Sequence, residues 1–156
     1  MSKINLLAKK IINAVKENFI EIHEYRKIDS ASFPFLSKHF YDNKQTELEH
    51  LGFKKIADIE DVTLTNINTF IRVMRDEEGI IINDFFQIPP KFWLFKFFAE
   101  FNLIKFIEFE TEFSDGTFII TTTIPSNTHI TSVPKVKKTY LPNETPLTKH
   151  LAIHKQ

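Results

Sequence analysis

The chain has 156 residues, enough for one domain with a sizeable core, and 42% of them are hydrophobic. Its 20 basic residues balance its 20 acidic ones, so it lacks the basic excess that phosphate backbones attract, and nucleic acid is disfavoured as a partner. No cysteine is present, which excludes disulfides, thiolate catalysis and cysteine-ligated zinc and agrees with a cytoplasmic protein.

Ile4, Leu7, Ile11, Val15, Phe19 and Ile22 recur at three- and four-residue steps, predicting an amphipathic helix over residues 3–25. Lys9, Lys10, Lys16 and Glu17 interrupt it too often for a secretory h-region. Nowhere is there a run of about 18 uncharged apolar residues, so no transmembrane segment is expected. After the break "DSASFP", a second helix following Pro34 turns Leu36, Phe40, Leu48 and Leu51 inward and stops at Gly52. Residues 3–52 thus read as the helical part.

Residues 54–124 read as sheet. "KKIADIEDVTL" predicts a strand, and "TFIRVMRDEEGIIINDFFQI" a hairpin whose "DEEG" forms a type I turn closed by a bulge at Gly79. That register sets Arg72 opposite Asp84 and Met74 opposite Ile82. A second hairpin, "IEFETEFSDGTFIITTTI", turns at Asp115-Gly116. A two-residue turn there pairs Phe113 with Phe118, Thr111 with Ile120, Phe109 with Thr122 and Ile107 with Ile124 on an apolar face. Glu112, Glu110 and Glu108 then face Ile119, Thr121 and Thr123 on the other side.

Between the hairpins, residues 90–101 of "PPKFWLFKFFAEFNLIK" form either a helix started by the prolines or an irregular insert. As a helix it is apolar nearly all round, which predicts burial. Left exposed, Trp93 and Phe97 would anchor an apolar small molecule, a protein partner, a second copy of the chain in a homodimer, or a membrane surface. Residues 125–156 hold prolines and few apolar residues, predicting a tail that wraps the body and closes with a short helix begun by Thr145 and Pro146.

The three glycines all fall at helix ends or turns, leaving none for a phosphate-cradling loop. His150 and His154, four apart, have the spacing for two imidazoles on one metal, but "KHLAIHKQ" supplies no third ligand. They are expected to face solvent near a frayed end, and no cofactor or metal is expected. The glutamates read as the solvated row of a half-buried hairpin, because outward polar rows are the default on antiparallel sheets. The functional alternative needs that face covered. Phe106 and Ile104, upstream on it, hint at cover, and Glu108 or Glu110 would then line a cleft with Arg72 as counter-charge.

"HLGFKKIADIED", "FIRVMRDEEGI", "EFETEFSDGTFIITTT" and "YLPNETPLTKHLA", in that order, resemble a family of uncharacterised bacterial proteins. The resemblance covers Leu48 to Ala152 and implies that Arg72, Gly79, Asp115, Gly116 and Thr117 belong to a shared framework. It implies no activity, so no catalytic residue carries over. The aromatic residues 92–101 have no counterpart in that pattern.

The fold expected is α+β in a single domain, with one or two N-terminal helices packed on a four- to five-stranded, mostly antiparallel meander of cystatin- or NTF2-like plan. The function expected is a non-enzymatic binding or accessory domain for an apolar ligand or protein partner. The alternatives are a small enzyme using Glu110 or Glu108 with Arg72, and a peripheral membrane protein.

Overall fold

The structure, a computed structural model, describes residues 23–33, 36–63, 69–87, 105–124 and 134–156. Seven strands form one sheet in sequential order: β1 (Tyr25–Lys27), β2 (Phe53–Asp61), β3 (Phe70–Asp76), β4 (Ile82–Gln87), β5 (Lys105–Glu112), β6 (Phe118–Thr122) and β7 (Val136–Tyr140). Every neighbouring pair is antiparallel except β6–β7, which is parallel. Two helices, α1 (Lys38–His50) and α2 (Leu147–His154), pack on the face that carries Phe53, Phe70, Met74, Phe85, Ile107 and Phe109.

This corrects the expected architecture of N-terminal helices on a four- to five-stranded sheet. Residues 1–22 of the predicted first helix lie outside the described residues. Where that helix was expected to end, Tyr25–Lys27 instead adds an edge strand to β2, with Tyr25 opposite Asp61 and Lys27 opposite Ile59. At the other edge, "VKKTY" of the supposed irregular tail pairs with β6. Both edge strands are short and polar, which is how exposed sheet edges avoid further pairing and why hydrophobic patterning did not reveal them.

α1 docks through Tyr41, Gln45 and Leu48, a stripe at four- and three-residue steps. The Tyr41 ring packs against Phe70 and Phe85, and its hydroxyl donates to the Phe70 carbonyl at 2.6 Å. The helix stops at Gly52, whose φ of +88° is the left-handed conformation that glycine adopts cheaply, and Phe53 is buried directly after it.

Both hairpin registers differ from expectation by one residue. Asp76 pairs with Ile81, so the first loop spans residues 77–80, and Asp76 Oδ1 accepts from the backbone N–H groups of Ile80 and Ile81. Arg72 therefore faces Phe85, Val73 faces Asp84, and Met74 faces Asn83. In the second hairpin Phe113 pairs with Thr117 around a three-residue loop, held by Asp115 accepting from the Thr117 N–H and hydroxyl. Glu108 consequently faces Thr122 and Glu110 faces Ile120. A one-residue slip moves every side chain of a strand to the other face relative to its partner.

Candidate functional site

The β4–β5 register decides which carboxylates meet. Asp84 on β4 stands opposite Glu108 on β5, and Glu110 follows two residues along the same strand. All three lie on the sheet face away from the helices. Their carboxylate oxygens come within 4.8 Å of one another. Below them Asn83, fully buried on the helix side, donates to the Glu108 carbonyl at 2.8 Å and locks β4 to β5.

The face around the cluster is apolar. Ile82 and Phe86 flank Asp84 along β4, Phe106 precedes Glu108, and Ile120 lies opposite Glu110. The Phe86 and Phe106 rings meet at 5.5 Å. Glu108 is left only 8% exposed, and Glu110 is half-buried. The expectation of a fully solvated glutamate row thus holds for Glu112, which is exposed, and fails for Glu108. Phe106 supplies part of the cover; Ile104 lies outside the described residues.

Burial and crowding raise the acids. Burial, then the hydrogen bond and charge of Glu108, push Glu110 up to about 7, against the pull of Lys138. Asp84 is raised well above the usual carboxylate range, by burial first and then by Glu108 and Glu110. Tyr25, also on this side, is raised by burial, by Asp61 and by the three cluster carboxylates. The compensating charge is Lys138 of β7, whose Nζ lies 3.4 Å from Glu108 Oε2 without forming a hydrogen bond. Asp84 Oδ1 and Glu108 Oε2 are both buried and accept no hydrogen bond among the described residues.

Arg72, expected beside Glu108 or Glu110, is on the opposite face. It is buried and makes a two-pronged pair with Asp58 at 2.7 and 3.0 Å. Its remaining nitrogen donates to Gln45 of α1 at 2.9 Å, and its guanidinium lies over the rings of Tyr41 and Phe70. Burial pushes the Asp58 carboxyl up, but hydrogen bonds from Arg72 and Lys55 outweigh it and hold the group below its ordinary value. Arg72 therefore ties α1 to the sheet and is not placed to meet a ligand at the carboxylates. Trp93 and Phe97 lie outside the described residues.

His150 and His154 are buried, not solvent-facing. Both pack on the Phe109 ring, and His154 sits between the hydroxyls of Thr111 and Thr121 at 3.0 Å each. No carboxylate joins them in a ligand cluster among the described residues. Sequence reasoning missed Asp84 and Lys138. The longer first loop separates Asp84 from Arg72, but its meeting with Glu108 comes from the β4–β5 register and had no local signal.

No protein-family model, curated protein or solved structure matches this chain. No helix among the described residues is long and apolar enough to cross a membrane.

Proposed function

We propose that this chain is a non-enzymatic binding domain whose ligand is a hard divalent cation held by Asp84, Glu108 and Glu110. The observation that carries this reading is the set of three carboxylates, one oxygen from each lying within 4.8 Å of the others, in which Asp84 Oδ1 and Glu108 Oε2 are buried and accept no hydrogen bond among the described residues. Oxygens bound to one ion lie at most twice the metal–oxygen distance apart, about 4.2 Å for magnesium and about 4.8 Å for calcium. The cluster's 4.8 Å spread meets the calcium span and exceeds the magnesium one, so the smaller ion would have to draw the carboxylates together. Carboxylates without nitrogen or sulfur ligands select magnesium, calcium or manganese over softer metals. Without an ion, burial and mutual repulsion raise Asp84 and Glu110, as expected of acids crowded around a single lysine.

The proposal also keeps a cytoplasmic location and a protein or apolar partner, in a homodimer or with another chain, engaged by the aromatic segment around Trp93. The cysteine-free composition and the aromatic content of that segment support these parts.

Calorimetric titration with calcium, magnesium and manganese at pH 8 tests the cation site. The expected result is saturable binding of at least one ion tighter than about 1 mM, weakened at least tenfold in Glu108→Gln. Because protonated acids must ionise to bind, titrations at pH 6.5 in buffers of different ionisation enthalpy should show proton release. Equal binding by wild type and Glu108→Gln would defeat the proposal.

A further inference from the structure

Leu147, His150, Leu151 and His154 are the buried residues of α2, the i, i+3, i+4, i+7 stripe by which a helix docks. Two of these four positions are histidines where a core helix would ordinarily carry leucine or isoleucine. The floor beneath them, on β5 and β6, is partly polar: Thr111, Thr121 and the ring of Phe109.

His150 is fully buried, with an exposure of 0%. Its Nε2 is 2.9 Å from the Thr121 carbonyl, which can only accept, so Nε2 carries the hydrogen and Nδ1 the lone pair. Nδ1 is buried and has no hydrogen-bond partner among the described residues. A second proton would place a buried N–H without an acceptor at that position, on a ring packed T-shaped against Phe109 at 4.8 Å between ring centres. His154 has a hydroxyl at each nitrogen, but its charged form would be added beside His150 in the same buried stripe.

The surrounding charges do not relieve this. His150 of α2 and Lys155 just after it both oppose a positive charge on His154, while β6 presents the uncharged Thr121. From β5, Phe109 and Thr111 are uncharged, and Glu108, on the far face, favours the charged form of His150. Burial outweighs Glu108 and the Thr121 carbonyl and lowers His150; burial, then His150 and Lys155, lower His154. A histidine depressed in the folded state contributes stability that is complete above its unfolded value of about 6.5 and is lost as pH falls through the folded value.

We propose that α2 is an acid-released latch: proton uptake by His150 and His154 detaches the helix from its β5–β6 floor while the sheet and α1 stay folded. The sheet and α1 have their own fastening in Tyr41, Phe70, Phe85 and the Arg72–Asp58 pair. Release uncovers Phe109 and the two threonines.

Amide hydrogen exchange on the full chain at pH 7.5 and 5.5 tests the latch, with intrinsic exchange rates corrected for pH. Protection of α2 amides, such as His150 N–H bonded to the Pro146 carbonyl, should fall at least tenfold at pH 5.5 while β3 and β4 hold theirs. His150→Gln with His154→Gln, which keeps donors but cannot be protonated, should remove the pH dependence. Unchanged α2 protection in the wild type, or loss of β3 protection in step with α2, would overturn the latch. If the double variant does not fold, ring NMR titration of the wild type decides: both histidines titrating below about 6.5 supports it, and titration of both at or above that value overturns it.

Discussion

Replacing Glu110 by Gln should make the protein more stable at alkaline pH and leave it unchanged in acid. In the folded chain Glu110 is pushed from its ordinary 4.5 up to about 7 by burial and by Glu108. Below pH 4.5 the group is neutral whether the chain is folded or not, so it makes no difference. Between 4.5 and about 7 the folded state holds a proton that the unfolded state has lost, so stability falls as pH rises, by about 1.4 kcal/mol per pH unit. The whole loss is about 3 kcal/mol, complete above pH 7. Gln cannot ionise, and its amide can still donate to Glu108, so the variant escapes the loss. Urea unfolding in the presence of a chelator, at half-unit steps from pH 4 to 8.5, measures it directly. His150 and His154 titrate in both proteins and cancel in the difference. The two curves should coincide near pH 4 and part by about 3 kcal/mol at pH 8, with the variant above. Parallel curves across this range would mean that Glu110 is not crowded by Glu108 in a half-buried site. Saturating divalent cation should raise the wild type toward the variant at pH 8 and leave the variant nearly unmoved.

Two further outcomes follow from the same geometry. Lys138→Met removes the ammonium that competes for Glu108, so divalent-cation affinity should rise several-fold in calorimetry; a fall would show that Lys138 supports the site. Asp58→Ala leaves Arg72 buried beneath α1 without its partner and should cost about 3–5 kcal/mol in urea unfolding, whereas a cost below about 1 kcal/mol would place Arg72 in contact with water.

Much of the local structure was legible along the chain. Gly52 ends α1 and Phe53 packs beyond it because a left-handed residue followed by an apolar one is a local helix stop. "DEEG" and "SDGT" turn the chain because Asp and Gly satisfy turn geometry within a few residues. The alternation in β5 marked Phe109 and Ile107 as core, and they are buried. Burial of the histidines was not legible, because their partners Thr111 and Thr121 lie 43 and 33 residues away from His154.

Register and edge pairing were decided only by the tertiary structure. Loops of three or four residues are close in energy, yet one extra residue before β4 takes Asp84 away from Arg72 and sets Phe85 opposite it. Asp84 meets Glu108 across β4–β5, and Arg72 meets Asp58 across β2–β3, a residue that sequence patterning gave no reason to pair with it. Strands β1 and β7 are three and five residues long and polar, so their pairing comes from the open edges of β2 and β6 and not from any pattern of their own. The sequence by itself determined where the chain turns and which residues prefer to be dry. Only long-range backbone pairing decided which carboxylates meet, because the β4–β5 register joins segments that no short turn connects.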